Sequence, residues 1–394
     1  MRVINQAGDL AGKRVLVRDD FNVTVDKNGK VLDDFRIRAS LPTIEYLLKN
    51  QAKVILMAHF GRPQGENFES RIKSQEFSLR PVAERLSELI GKKVELLGDC
   101  FGSAVTERVG QMNDGDLVLL ENLRFHPEEE ANDDEFVKSL AKLGDIYVND
   151  AFGASHRAHA SIVKITQLLP SFVGFLLERE VDVLARARDN PEHPLVVVIG
   201  GAKISTKIKL IQEFLNKADH IILGGALANT VLHAQGLAIG RSMVELEAVS
   251  EVQKLQITNT KLHLPVDVVV SIDKTGQEEK HVSAVGKIGR EELILDIGPE
   301  TQSIFDSVVK SSKMVIWNGP MGLFEVEAFA GGTRAMAESI AACPDCFSIA
   351  GGGETTCFLE KFGLLDKFSH VSTGGGAMME FLAGEKLPGI EVLE

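Results

Sequence analysis

Nine short apolar runs recur along the chain, each followed by a turn and a helix-spaced pattern: residues 15–17, 54–57, 117–120, 146–148, 195–199, 221–223, 268–270, 315–317 and 347–349. This alternation constrains the fold more than any other feature. Parallel strands need long crossovers, and those crossovers are usually helices. A strand buried on both faces reads as an unbroken apolar run, as LVVVI does at 195–199. The expected class is therefore α/β, with mainly parallel sheets wrapped by helices. Such sheets bind ligands beyond the carboxyl ends of their strands, so the residues after each run are the ones to read for function.

The two halves of the chain differ at those positions. The early runs lead into RDDFNV, AHFGRP, ENLRF and NDAFGASHRAH. Arg18, Arg36, His59, Arg62, Arg124, His156 and Arg157 gather at these strand ends or in nearby loops. The whole chain carries a net charge of −13, so a local basic cluster predicts a site for a small anion. Guanidinium forks match phosphate and carboxylate geometry. Separate surface salt bridges are the alternative, which the recurrence after several strands disfavours.

The later runs lead into GGAK, GGALANT, NGPMG and AGGGETT. Glycine lets backbone approach a flat or phosphorylated ligand closely. Within 195–215, Gly200 and Gly201 allow a tight turn, and Ser205 or Thr206 can cap the helix that follows. Lys203 and Lys207 would share one face of its first turn. Helix-end N–H groups, the dipole and two ammonium groups then converge on a polyanion. Gly351, Gly352 and Gly353 lead into Glu354-Thr355-Thr356 as another helix start, with a carboxylate able to reach a metal. A plain strand–turn–helix with solvated lysines and an acidic first turn is the competing reading at both places.

The change of chemistry marks two domains, which the length of 394 residues also favours. Between them, residues 172–189 fit a connecting helix with its charges on a solvated side and Asn190-Pro191 as its stop. The acidic run at 128–135 reads as a solvated helix start. Cys343 and Cys346 form a lone CxxC, read as two thiols after a helix rather than a metal pair. Four cysteines in a chain of this length suggest a reducing compartment. The acidic charge argues against nucleic acid and membrane surfaces. No apolar run approaches the ~20 residues of a membrane span, and the first residues lack a signal-peptide core. Neither GxxxxGK[ST] nor GxGxxG occurs, which leaves a nicotinamide-dependent dehydrogenase poorly supported.

In order, KRVLVRDDFNV, HFGRP, ENLRF, NDAFGASHRAH, GGAKISTK, NGPMGLFEVEAF, GGGET and STGGGAMMEFLAGEKLPG resemble the motifs of the phosphoglycerate kinase family, from Lys13 to Gly389. The resemblance implies two Rossmann-like three-layer domains, joined by a helix and facing across a cleft, in a cytoplasmic monomer. The N-domain would be 1–172 plus 379–394, the connecting helix or hinge 173–189, and the nucleotide-binding C-domain 190–378. The implied reaction moves a phosphoryl group reversibly from 1,3-bisphosphoglycerate to ADP, giving 3-phosphoglycerate and ATP, with Mg²⁺ on the nucleotide. By motif position, Asp20, Phe21, Asn22, Arg36, His59, Phe60, Gly61, Arg62, Arg124 and Arg157 would hold the phosphoglycerate. Gly201, Lys203, Lys207, Gly225, Asn318, Glu325, Gly351, Gly352, Gly353, Glu354 and Thr355 would hold the nucleotide, with Glu354 at its metal. Arg36, Lys203 and the glycine amides at 351–353 would neutralise the phosphoryl group in transfer. His59 and His156 are read as phosphate ligands or supports, not as acid–base groups.

Four positions depart from the family pattern. Asp19 replaces a valine and is expected to face away from the substrate; Thr24 replaces a proline. Ala226 replaces a glycine near the base, where a methyl could crowd it or pack on it. Glu354 replaces an aspartate, so its longer side chain must fold back to keep the metal position. A catalytically impaired nucleotide-binding homologue is the alternative these departures raise.

Overall fold

A computed structural model describes residues 1–65, 67–73, 75–255 and 261–394. The chain divides into two compact units, residues 1–182 with 386–394 and residues 183–385.

In the first unit six parallel strands form one sheet: β1 (Arg14–Arg18), β2 (Lys53–Met57), β3 (Glu95–Leu96), β4 (Leu117–Leu119), β5 (Ile146–Asn149) and β6 (Ser171–Val173). Their order is β3-β4-β2-β1-β5-β6. Strand alternation sends Val15, Val17, Val54 and Leu56 into one buried cluster and Leu16, Ile55 and Met57 into another. The sheet is thus the middle of three layers. The order reverses at β1, whose neighbours are β2 and β5, so the chain leaves a crevice beyond these strand ends. Residues of the carboxyl-terminal segment pack here too: Gly389 N–H donates to the Ser155 carbonyl at 2.8 Å.

The second unit repeats the plan with β7 (Leu195–Ile199), β8 (His220–Leu223), β9 (Leu262–His263), β13 (Met314–Asn318), β14 (Phe347–Gly351) and β15 (His370–Ser372). They are parallel in the order β15-β14-β13-β7-β8-β9, with the reversal at β7. A separate antiparallel sheet is made of β10 (Asp267–Ser271), β11 (Lys280–Ala284) and β12 (Leu293–Ile297).

Three expectations are corrected. The run at 268–270 belongs to that antiparallel sheet, because a hairpin rather than a helix follows β10. Phe172 is strand, paired through β6 to β5, and the helix that crosses between the units begins later, at Phe175–Asp189. Its charges are not all solvated: Glu180 is fully buried, one turn or two from buried Leu177, Leu184 and Ala187. The acidic run at 128–135 also hides a residue. Glu129 is fully buried, in the short helix Pro127–Glu130.

Candidate active site

The arginine-bearing unit forms a connected rim at the ends of β1 and β2. Asn22 ties the two loops together, since its side-chain oxygen accepts the Gly61 N–H at 2.9 Å. Arg36 donates to the Asn22 carbonyl and lies 3.7 Å from Asp20. Arg124 donates to the Gly61 carbonyl at 2.8 Å. Gly61 sits at φ +59°, and a side chain there would run into the Phe77 ring. Asn122 staples this loop from below, accepting from Phe60 N and Arg124 N and donating to Phe60 and Phe77 carbonyls. Nothing in the sequence pattern marked Asn122 beyond its place in ENLRF.

The rim residues differ in how they are engaged. Arg62 is exposed. Arg124 is buried, yet its Nε lies 3.5 Å from Glu130 Oε1 without a hydrogen bond. Arg157 donates from Nε to His156 Nε2 at 3.0 Å, and the buried Nδ1 of His156 has no hydrogen-bond partner. Phe21 and Phe60 take a different place from the charged residues. Both rings lie in the hydrophobic core, so only their backbone can face a ligand.

Beneath the rim lies a buried charge cluster. Arg18 is fully buried and donates to Ser161 Oγ at 2.9 Å and to the Asp19 carbonyl, with Nη2 3.0 Å from His59 Nδ1. Ser161 in turn donates to both oxygens of Glu129, at 2.6 and 2.9 Å. Burial, then the Arg18 charge, hold His59 well below its usual range. The Asp19 carboxylate does not join the rim's hydrogen bonds. It is fully buried, and neither carboxylate oxygen finds a hydrogen-bond partner. Burial, then nearby Asp150, push its carboxyl well up. Burial raises Asp150 to about 7, against hydrogen bonds from Thr43 and from the first N–H groups of helix Phe175–Asp189. Gly174 is required there, because a Cβ would overlap the Asp150 carboxylate.

A further donor group, Asp99, Cys100 and His126, meets near the ends of β3 and β4. His126 Nε2 is 2.7 Å from Asp99 Oδ1, and its ring stacks on Phe68 at 4.4 Å. These contacts account for the group as a support, and burial pushes the Cys100 thiol up.

In the glycine-bearing unit, backbone segments meet closely at the ends of β7 and β13. Gly201 N–H donates to Pro320 O at 2.9 Å, Leu227 N–H to Gly201 O at 3.0 Å, and Gly225 N–H to Met321 O at 3.0 Å. Gly201 and Gly225 both have positive φ, +95° and +65°, which only glycine adopts freely. A cavity of about 430 Å³ opens here, and Gly201, Gly225, Ala226, Met321, Glu325 and Glu354 are among its walls. That volume suits a small organic ligand. Helix Gly353–Lys361 starts beside it, with Glu354 in its first turn.

The expectation for 195–215 needs correcting. Helix Ile208–Lys217 begins after Lys207, and neither Ser205 nor Thr206 caps it. Ser205 instead donates to Glu245. Lys203 is exposed in the turn while Lys207 is buried, so the two do not share a helix face. Lys207 Nζ donates to the Gly200 and Asn318 carbonyls, and burial lowers it to about 8. Asn318 donates to the Gly351 carbonyl at 2.9 Å, and the buried Thr355 hydroxyl accepts the Gly319 N–H at 2.8 Å. These three residues brace the glycine loops. Asp296, which the sequence did not flag, lines the cavity; burial lifts it to about 7 against two backbone N–H bonds.

The family model described as phosphoglycerate kinase matches residues 4–385. The chain belongs to the phosphoglycerate kinase family. It is 47% identical over 390 residues to the phosphoglycerate kinase of Dictyoglomus turgidum, covering 98% of this chain and 96% of that one. It is 46% identical over 389 residues to that of Pelotomaculum thermopropionicum, covering 98% and 97%. Among solved structures, phosphoglycerate kinase from Pyrococcus horikoshii superposes with TM-score 0.88 at 33% identity, covering 100% of this chain and 98% of the other. The Coxiella burnetii structure gives 0.82 at 40%, covering 98% of each. The chain is a phosphotransferase of glycolysis with a carboxyl group as acceptor. The impaired-homologue alternative finds no support in these likenesses.

Proposed function

We propose that the two units divide the substrates of this phosphoglycerate kinase between them. Phosphoglycerate would lie on Asp20, Asn22, Arg36, His59, Arg62, Arg124 and Arg157, and ADP or ATP in the glycine-walled cavity with Lys203 and the amides at 351–353. The observation that carries this reading is the contrast in donors. One rim offers guanidinium groups, including a buried Arg124 Nε that makes no hydrogen bond; the other offers backbone and an apolar cavity. Lys207, Asn318 and Thr355 act as braces in this reading, and the Ala226 methyl packs on the base.

The residues at the cavity fit Mg²⁺. Glu354 brings a hard carboxylate oxygen to the wall, the donor type this ion takes. When bound with the nucleotide, the ion supplies positive charge to the phosphates. The chain's own part is electrostatic. The acceptor carboxylate of 3-phosphoglycerate has an ordinary pKa of about 4 and needs no base at neutral pH. Two anions must be held together while the phosphoryl charge is neutralised, and Arg36 and Lys203 are suited to it.

The domains would be 1–172 with 379–394 and 190–378, with 173–189 and the loop at 372–376 as hinges. Closure would exclude water from the acyl phosphate. Four free thiols support a reducing cytoplasmic setting. The expected assembly is a monomer, which light scattering checks. A coupled assay of ATP consumption with 3-phosphoglycerate, with and without Mg²⁺, tests the reaction. Small-angle scattering with both substrates tests closure: an unchanged radius of gyration would count against the hinges.

A further inference from the structure

We infer that Arg18 is a positioning residue: it fixes His59 as a neutral imidazole with its proton on Nε2, so that His59 presents a permanent N–H donor to the anion on the rim. The inference deepens the substrate site proposed above and rests on that reading for the identity of the anion.

The argument begins with donor inventory. A guanidinium carries only N–H donors and no acceptor. Arg18 Nη2 lies 3.0 Å from His59 Nδ1. That contact is a hydrogen bond only if Nδ1 is the bare, accepting nitrogen. The ring's proton must then sit on Nε2, which has no hydrogen-bond partner among the described residues. A second proton on Nδ1 would set N–H against N–H in a buried place. Protonating the ring would also add a charge beside Arg18, in a pocket where Arg157, His159 and Arg36 already act on it.

Arg18 is itself held so that it cannot turn away. Each of its three nitrogens is engaged, Nε by Ser161 Oγ, Nη1 by the Asp19 carbonyl and Nη2 by His59. Ser161 is clamped by Glu129 at its hydroxyl and its N–H. Its carbonyl accepts the Tyr147 hydroxyl at 2.8 Å. Glu129 balances the Arg18 charge through this one serine, and His159 Nδ1 stands 3.8 Å from the same carboxylate. A wholly buried ion network is a poor source of net stability. It is well suited to setting the orientation and tautomer of one buried ring, as metal-site histidines are set by the partner of their other nitrogen. A titrating His59 would change the charge of the site near neutral pH. A fixed one removes the site's own share of that change, leaving the second ionisation of the phosphate at about pH 6.

The test is long-range ¹H–¹⁵N correlation NMR on the ¹⁵N-histidine-labelled full chain, first without ligand, then with 3-phosphoglycerate added. The expected spectrum at pH 7 shows His59 with a bare Nδ1 and a protonated Nε2, unchanged down to about pH 5.5, below the ordinary histidine value. A cationic ring at pH 7, or a proton on Nδ1, overturns the inference without any variant being made. Adding 3-phosphoglycerate should move the Nε2 resonance. The right tautomer with no response to ligand would instead sink the substrate assignment of His59 and leave the part played by Arg18 standing.

Two variants separate positioning from packing. Arg18→Lys keeps a donor-only side chain and should keep the Nε2–H signature. Arg18→Met should let His59 titrate, raise KM for 3-phosphoglycerate about 10–100-fold at neutral pH with a much smaller change in kcat, and make the ratio of its KM to that of the unaltered chain fall as pH drops through about 6.5. A merely structural arginine would give no new pH dependence. A Met variant whose KM follows the pH profile of the unaltered chain while its His59 titrates overturns the inference.

Discussion

The two units share a six-stranded parallel sheet and a reversal at the first strand, but they equip the strand ends in opposite ways. One gathers arginines above a buried ion network centred on Arg18. The other brings glycine backbones within hydrogen-bond distance and lets lysine and asparagine brace them. The same architecture thus presents side-chain charge at one set of strand ends and main chain at the other. Side-chain recognition tolerates backbone change but not loss of a guanidinium. Main-chain recognition tolerates no Cβ where the loops touch.

The largest effects should come from the charges assigned to the transferring group. Arg36→Ala and Lys203→Ala are each expected to lower kcat by ~10²–10³ with a smaller change in KM. Steady-state kinetics decide it, and near-normal kcat in either variant removes that residue from the role. Next come the glycines. Gly352 sits at φ +101°, and a Cβ would stand 2.9 Å from Asn318 Nδ2. Gly352→Ala should cost about 1–3 kcal/mol of stability. Gly353 has nothing within 4 Å of a Cβ, so Gly353→Ala should leave the thermal midpoint alone yet raise KM for ADP. Equal midpoints for the two variants would break the contrast drawn between brace and ligand face.

Asp19 offers a test of the ion network on the other unit. Burial raises Asp19, and it raises Asp150 to about 7. The folded chain thus holds protons that the unfolded chain loses near pH 4. Their contribution to stability is full below pH 4 and is lost as pH rises through the folded values. Asp19→Val should therefore stabilise the chain by about 1–3 kcal/mol at pH 8 and flatten the fall between pH 5 and 8. Urea unfolding at the two pH values checks both, and an unaltered slope would refute the account of Asp19. The smallest effect is ionic. Raising salt from about 0.1 M to 1 M shortens the Debye length from about 10 Å to 3 Å. KM for 3-phosphoglycerate should rise severalfold, and more than KM for ADP.

The central strands were legible because burial on both faces leaves an unmistakable apolar run; β7 spans Leu195–Ile199 as read. Most strands that escaped notice are short or exposed; β12, the apolar LILDI of Leu293–Ile297, is an exception. β3 and β9 have two residues each, and β11 is the largely exposed KHVSA. Arg62, Arg124 and Arg157 were legible because they come soon after strands, whereas Arg36 lies in the first turn of helix Phe35–Lys49. What lies beneath them was not. Arg18 meets Ser161 across 143 positions of sequence and Ser161 meets Glu129 across 32, and no periodicity links such residues. Glu129 looked solvated only because its neighbours Glu128 and Glu130 resemble it in sequence. The start of helix Ile208–Lys217 was misplaced for a local reason: Ser205 is engaged by Glu245, forty residues away, and is not free to cap.

The most direct test of the division of labour is a crystal structure with 3-phosphoglycerate and ADP both present. The account expects 3-phosphoglycerate against Arg36, Arg62, Arg124, Arg157 and His59 Nε2, and ADP with its base against Ala226 and its phosphates toward Lys203 and Gly353. Either compound found on the other unit, or both on one, would contradict it.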